Sequence, residues 1–530
     1  MNAPTPPSTL DADLDALRQI AGAQAVSDDE ATRALFSQDI WSVGSHCAQV
    51  VVAPADTQVL AAVVAEAARR DFTLAVRGGG MSYTSGYTPT RPRTLLLDMS
   101  QMDRVLRVDA QDMTVTVQAG CTWKTLNETL KPLGLRTPFW GPLSGITSTV
   151  GGGLSQQNAI FGSGHYGTTS ESVVAVKVVL ADGQVLATGA RGADGETPFF
   201  RHFGSDLTGL FCGDCGAYGI KAEITLRLIR TPAHEGFASF AFASREQAVN
   251  AMAEMVRAGL AAEICGFDPG LAAVRLKRAS ILSGVQAMAA VATTNRSLLA
   301  GLKAAAGIAL AGRGFLAEGD WSIHLGFEGR SETGVREDVA AAKLIALAAG
   351  GAETEASIPK ILRAQPFTPL NNILGPDGER WAPVHGIVSL SNANPCFEAL
   401  EALFASYQAR FEAAGIYTGY MLTSLSTNGF LIEPVFFWPE ARRALHEANI
   451  EPAMLAKLKP HDENPAATAL VTEARAAVVA VFQTFGAAHF QVGRTYPWLE
   501  SRDAASQSLA RAVKAALDPE GRLNPGVLGL

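Results

Sequence analysis

Six cysteines scattered over 530 residues provide no disulfide framework. One pair, Cys212 and Cys215, forms a C-x-x-C inside "FCGDCGAYG". Zinc usually takes four ligands and no second pair follows, so the pair reads as a coincidence within a glycine-rich turn. Positive charge is also scarce. A net charge of −8 excludes the basic surface by which nucleic-acid binders displace phosphate counterions. No uninterrupted apolar run reaches the roughly 18 residues that cross a bilayer. The nearest, at residues 298–317, is interrupted by Lys303 and Arg313 and reads as a packed helix. The opening "MNAPTPPSTLDADLDALRQI" lacks a basic n-region followed by an apolar h-region, so no secretory signal is read and the cytoplasm is the expected location.

Several catalytic signatures are missing too. No G-x-G-x-x-G follows the first strand, which removes support for a nicotinamide-type fold. The absence of G-x-x-x-x-G-K-[ST], H-E-x-x-H and G-x-S-x-G removes the simplest nucleotide hydrolase, zinc protease and serine hydrolase readings. No short His/Asp/Glu cluster has ligand spacing, so no metal site is expected.

What is present is a folded composition, 48 % hydrophobic and 18 % charged, on a chain too long for one core. Residues 1–43 read as a helical lead-in, starting at Thr9 or Asp11 and ending at Gly22. A strand at residues 50–52, a turn with Pro54 and Asp56, a helix to Arg70 and a strand at 74–77 make a β-α-β unit that stops on three glycines. Further strands are expected in "TLLLDMS", "VLRVDAQDMTVTVQAG", "VVAVKVVLADGQVLATG" and "KAEITLRLIRTP", with a helix in "TWKTLNETLKPLG". Residues 44–231 therefore read as an α+β domain. From 232 to 470 long Ala-rich helices alternate with short strands, which suggests a substrate-binding cap; 471–530 form a separate tail.

Three glycine-rich stretches lie in the first domain, each against a strand. They are "VRGGGMSYTSGYTP" (76–89), "GPLSGITSTVGGGLSQQNAIFGSGHYGTTSES" (141–172) and "SDLTGLFCGDCGAYGIKAEITLRL" (205–228). Glycine beside regular structure supplies positive φ or lets a backbone approach a ligand. One such stretch is as easily a turn; three in one domain point to a large, flat or phosphorylated ligand.

In order and spacing these stretches resemble the FAD-binding domain of the vanillyl-alcohol oxidase and p-cresol methylhydroxylase superfamily. The closing "ALDPEGRLNPGVLGL" resembles the C-terminal signature of its D-lactate dehydrogenase and glycolate oxidase branch. The resemblance implies a two-part FAD-binding domain with an inserted α+β cap, the tail returning to the first part. It also implies that Arg77, Gly78, Gly79, Gly80, Met81, Ser82 and Tyr83 cradle the pyrophosphate. Pro142, Gly145, Ser148, Val150, Gly151, Gly152, Ser155, Asn158, Tyr166 and Gly167 would run beside the ribityl chain and flavin. Gly216, Gly219 and Ile220 would close on the adenosine end, and Asn524 of the closing signature completes the set. Met81 stands where many members carry an FAD-linking histidine, and Thr147 where some carry a cysteine, so non-covalent FAD is expected unless a cap residue supplies the link.

The metal-binding histidines of the D-2-hydroxy acid dehydrogenases are missing from "SLSTNGFLIEP", and Ala488 replaces the glutamate before His489. By the same resemblance, His489 is the leading base, or else a hydrogen-bonded structural histidine near the flavin. Arg494 offers a bidentate fork for a carboxylate or phenolate, with a surface ion pair as the rival reading. Tyr496 and the cap histidine His385 are further catalytic candidates, and Phe436–Trp438 are candidates for an aromatic wall. The implied activity is oxidation of a small alcohol-bearing molecule, D-2-hydroxy acids slightly ahead of 4-alkylphenols or aryl alcohols; a non-catalytic flavin-binding protein is the alternative of another class. The electron acceptor is left open between oxygen, a quinone, a cytochrome and an electron-transfer flavoprotein, and a homodimer is possible.

Overall fold

A computed structural model describes residues 9–274 and 320–530. The apolar run at 298–317 lies outside the described residues. The lead-in forms helix Thr9–Ala21, ended by Gly22 at φ +91°. Asp56 caps helix Thr57–Arg69 by accepting from the amides of Gln58 and Val59. The flanking strands, Val50–Val52 and Thr73–Arg77, are not neighbours, because Thr94–Asp98 lies between them and pairs in parallel with both. A second sheet is antiparallel, in the order Val105–Asp109, Thr114–Gln118, Ile220–Arg227, Val173–Val179, Val185–Ala187. Helix Thr57–Arg69 packs on this second sheet, and Thr57 donates to Glu223 at 2.7 Å.

The cap strands are longer than the sequence suggested. His234–Phe242, Trp321–Gly329, Tyr417–Leu425 and Gly429–Trp438 run nine or ten residues each within one eight-stranded antiparallel sheet. Their continuous burial hides the alternation that marks a half-exposed strand. Helices Arg245–Arg257 and Glu332–Ala348 cover one part of this sheet; Ala393–Ala414 and Pro465–Thr484 pack together on another.

Helix Pro465–Thr484 crosses the expected cap limit at 470 and, among the described residues, is the one helix with the length and hydropathy of a membrane span. Val471, Ala474, Arg475, Val478 and Phe482 are buried along it, so its packing is that of a core helix.

The tail returns to the first domain. Asn524 donates its amide to Leu74 O, and Leu74 donates to Arg522 O, both at 2.8 Å, so residues 522–524 run beside the strand that ends in the glycines. A buried ionic cluster ties the two domains together. Arg136, which also donates to Pro138 O, pairs with Glu328 of the cap; Arg363 pairs with Glu263 at 2.8 Å and Glu328 at 3.2 Å, and Glu263 accepts from the Gly162 amide.

Candidate active site

Two cavities meet between the domains. The first is a cleft of about 920 Å³ in the first domain, bordered by all three glycine-rich stretches. The second, about 1050 Å³, lies against the cap. They share Met81, Pro142, Ser144, Asn158 and Gln491.

The first two glycine stretches pack backbone to backbone. A Cβ on Gly79 would run into the carbonyl of Thr147, and one on Gly78 would strike Thr149 Oγ1. Gly80 turns the chain at φ +72°. These glycines are thus needed as much for loop–loop approach as for an open face. The amides of Gly79, Gly80, Met81 and Ser82 donate to no protein acceptor among the described residues, although they border the cleft. Such a row of unspent N–H groups on side-chain-free backbone fits a pyrophosphate. The third stretch is braced by a buried ion pair, Lys221 with Asp214, whose carboxylate also accepts from the amides of Gly216 and Tyr218.

Of the expected cofactor residues, Gly78, Gly79, Gly80, Met81, Ser82, Pro142, Ser148, Gly151, Gly152, Ser155, Asn158, Gly216, Gly219 and Ile220 border the cleft. Seven do not. Tyr83 borders the cap-side cavity instead. Arg77 lies over the ring of Phe36 at 4.3 Å, and Val150 is buried in the core. Gly145 backs onto the Phe367 ring. Tyr166 lies under the Arg136 guanidinium, and Gly167 ends the short helix Ser163–Tyr166 at φ +73°. Asn524 supports the cleft from behind, its side-chain amide donating to Gly86 O at 2.7 Å and Cys215 O at 2.6 Å.

The four expected catalytic residues are gathered away from both cavity walls. His385 is fully buried; its Nε2–H donates to Phe490 O at 2.5 Å and its amide to Tyr496 Oη at 2.9 Å. His489 Nδ1–H donates to His385 O at 2.8 Å. Burial pushes the imidazole of His385 down to about 3 and that of His489 down to about 4. Burial raises the Tyr496 hydroxyl. Arg494 is occupied by carbonyls, donating to Pro525 O at 3.0 and 2.8 Å, to Thr88 O at 3.1 Å and to Ser85 O. The Arg494 fork thus ties the tail to the first glycine loop. His489, His385 and Tyr496 sit one layer behind Phe490 and Gln491, which do border the cap-side cavity.

That cavity is walled by Ile40, Leu143, Ile160, Leu370, Trp381 and Phe437, with Tyr83, Ser144, Asn158, Asn372, Thr423, Glu433 and Gln491 as its polar members. Of the expected aromatic wall only Phe437 faces it. Phe436 packs on Phe404 and Phe411, and Trp438 on Trp41, on the opposite side of the strand. Gln491, held at φ +48°, reaches Tyr83 Oη at 3.1 Å through its side-chain amide. Glu433, Gln491, Trp381 and Lys221 were not singled out from the sequence. The signal for Glu433 was available in "GFLIEPVFFW", where every second residue from Leu431 is apolar except this carboxylate.

Among the described residues no group of three or more His, Cys, Asp or Glu side chains is gathered as a metal site. Residues 48–189 match the family described as FAD binding domain, and residues 442–528 the C-terminal domain of FAD linked oxidases. Two segments of the chain thus match domains found in FAD-linked oxidases. The chain is 29 % identical over 216 residues to the glycolate oxidase subunit GlcD of Bacillus subtilis, 41 % of this chain and 44 % of that one. It is 33 % identical over 183 residues to a mitochondrial D-lactate dehydrogenase [cytochrome] of Arabidopsis thaliana, 34 % and 30 % of the two chains. The matched segments thus span less than half the length of these relatives. The whole fold is similar to p-cresol methylhydroxylase (TM-score 0.71, 16 % identity, 98 % and 97 % of the two chains). It is also similar to 4-ethylphenol oxidase from Gulosibacter chungangensis (TM-score 0.69, 16 % identity, 100 % and 99 %). The chain therefore has the fold of p-cresol methylhydroxylase, and the FAD-binding domain gives FAD as its cofactor.

Proposed function

We propose that this protein is an FAD-dependent oxidoreductase that oxidises a small alcohol or alkylphenol bound in the cap-side cavity. The observation that carries the reading is the junction of the two cavities at Met81, Pro142, Ser144, Asn158 and Gln491, which joins the first cleft directly to a mostly apolar chamber. Bound FAD supplies a hydride acceptor. The chain's own residues hold and orient. Unspent amides of the first glycine loop would hold the pyrophosphate, Tyr83 and Gln491 would offer hydrogen bonds to a substrate hydroxyl, and the apolar wall would exclude water.

The relatives' names include D-lactate and glycolate enzymes. A 2-hydroxy acid needs a cation for its carboxylate, and among the described residues no Lys, Arg or His borders the cap-side cavity. The balance therefore moves towards alkylphenols or aryl alcohols. No cap histidine or cysteine among the described residues borders either cavity, which supports non-covalent FAD.

The withdrawal of His489 and Arg494 from the walls favours one second reading, a flavin-binding protein without turnover. A single experiment separates them. Purified protein is loaded with FAD, its spectrum taken before and after acid precipitation, and its anaerobic bleaching followed with alkylphenols, aryl alcohols and D-2-hydroxy acids. A flavin band that leaves with the supernatant and bleaches with a phenol or aryl alcohol supports the proposal. A stably bound flavin that none of them bleaches supports the second reading.

A further inference from the structure

The two thiols of the C-x-x-C in the third glycine stretch serve different partners. Cys212, at the end of the short helix Thr208–Phe211, donates to Thr208 O at 3.3 Å. Cys215 is committed to the tail instead. It is 3 % exposed, borders the cofactor cleft and is held at φ +50°. Its sulfur accepts from the Gly493 amide at 3.3 Å, and its thiol donates to Gln156 Oε1 at 3.4 Å, with Gly213 O farther off at 3.9 Å. Its backbone amide donates to Ser155 O at 2.8 Å, and its carbonyl accepts from Asn524. Burial pushes the thiol up to about 12, so it stays S–H and both donates and accepts.

What the sulfur holds is a bend. Gln491 and Gly493 both have left-handed backbones, at φ +48° and +52°. Gly493 has no room for a side chain, since a Cβ there would strike Thr84 O. Gln491 is the unusual one, because a long side chain persists in left-handed geometry only where its surroundings over-determine it. Its amide donates to Gln156 O, its side chain reaches Tyr83 Oη at 3.1 Å, and it borders both cavities. Gln156 thus touches the bend through its carbonyl and Cys215 through its side-chain oxygen. Arg494 closes the far side by donating its amide to Thr84 O at 2.9 Å. All three glycine stretches converge on residues 491–494.

We infer that Cys215 is a positioning residue for this site: with Gln156 it clamps the 491–493 bend and so fixes the Gln491 side chain at the junction of the two cavities. Without the sulfur, the Gly493 N–H loses its acceptor and Gln156 Oε1 loses a donor. The bend then relaxes towards ordinary backbone angles, which carries the Gln491 amide off Tyr83. The inference rests on reading the junction as the place where flavin and substrate meet.

The test is a double-mutant cycle of Cys215→Ala and Gln491→Ala in the FAD-loaded full chain. Two readouts follow Gln491: the absorption bands of the bound flavin, and the Kd of 4-propylphenol titrated through tryptophan fluorescence quenching. Urea unfolding is measured on the same samples. Each single variant is expected to shift the flavin bands in the same direction and to weaken the phenol at least ~5-fold. The double variant should lose no more than about twofold beyond Gln491→Ala, because Cys215 acts through Gln491. Cys215→Ser, whose hydroxyl keeps a donor and an acceptor, should stay within about threefold of wild type. Cys215→Gly relieves the left-handed backbone and replaces Cys215→Ala should that variant not fold; it should show the same loss. Losses that multiply in the double variant, or Cys215 variants that change urea stability alone, overturn the inference. So does a serine variant as impaired as the alanine, or a flavin spectrum and phenol affinity indifferent to Gln491→Ala. The expected pattern without anaerobic bleaching by the phenol counts against the oxidoreductase reading and leaves this inference standing. Bleaching with the Cys215 variants unchanged in both readouts does the reverse.

Discussion

The ring of His489 lies on that of Tyr496, centroids 4.0 Å apart and planes 14° from parallel. This stack, with His385 hydrogen-bonded to both, forms the inner layer against which the cavity-lining residues Phe490 and Gln491 are set. It is built to stay neutral. Both imidazoles donate to backbone carbonyls, which fixes their tautomers, and neither has a carboxylate partner among the described residues.

The first prediction concerns acid. The folded-state pKa of His489, about 4, lies below the ordinary value of 6.5, so the unfolded chain takes up its proton first. The stability that neutral His489 contributes is therefore fully present above pH 6.5 and is lost as pH falls towards 4, by up to about 3 kcal/mol. Thermal melts of the wild type between pH 7 and 4.5 should fall more steeply than those of His489→Gln. Activity profiles should show no ionisation from His489 or His385 between pH 5 and 8.

Arg494→Lys separates a structural role of the arginine from the substrate-clamp reading. A lysine cannot span the carbonyls of Ser85, Thr88 and Pro525. The variant should lose about 2–4 kcal/mol in denaturant unfolding, while the KM of its flavin-loaded fraction stays within about twofold of wild type. A large rise in KM with unchanged stability would restore the substrate-clamp reading.

Gly79→Ala should weaken FAD retention. The added methyl runs into Thr147 O and pushes the first glycine loop off the second, an overpacking cost of roughly 1–3 kcal/mol, or about 10- to 100-fold in affinity. Titration of apoprotein with FAD, followed by flavin fluorescence quenching, measures it.

Glu263 responds to pH in the opposite sense. Burial and the neighbouring Glu328 push its carboxyl up to about 7, against the pull of Arg363 and Arg136. A raised carboxylate pKa costs nothing below the unfolded value of 4.5, and its cost grows to full size as pH rises through 7. Between pH 4.5 and 8 the stability of Glu263→Gln relative to wild type should therefore rise, by on the order of 1–3 kcal/mol. Paired urea titrations at the two pH values check this.

Much of the first domain was legible because its signals are local. Asp56 caps its helix, Gly22 ends the one before, and Asp182–Gly183 turns between strands Val173–Val179 and Val185–Ala187; each acts over two to four residues. The glycine stretches announced a ligand for the same reason, since absence of a side chain is written in the sequence. Which glycines face the ligand was not written there. Gly145 and Gly167 serve packing and a helix end, and Gly79 serves its neighbour Thr147 as well as the cleft.

The cap was harder, because strands buried on both faces lose the two-residue period that identifies them. Its chemistry was harder still. Motif position brought His489, Arg494 and Tyr496 close to the site, within a few residues of Gln491 in the chain, but a motif does not say which side of the backbone each side chain takes. Arg494 turned to four carbonyl contacts and His489 to one, because an unpaired buried donor costs more than an open cavity wall gains. The sequence by itself determined the α+β class, the FAD domain and the glycine loops that line its cleft, all of them encoded by neighbours along the chain. Only the tertiary structure decided that Glu433 from a cap strand, Tyr83 from a glycine loop and Gln491 from the tail share one chamber, since their meeting depends on contacts between residues hundreds of positions apart.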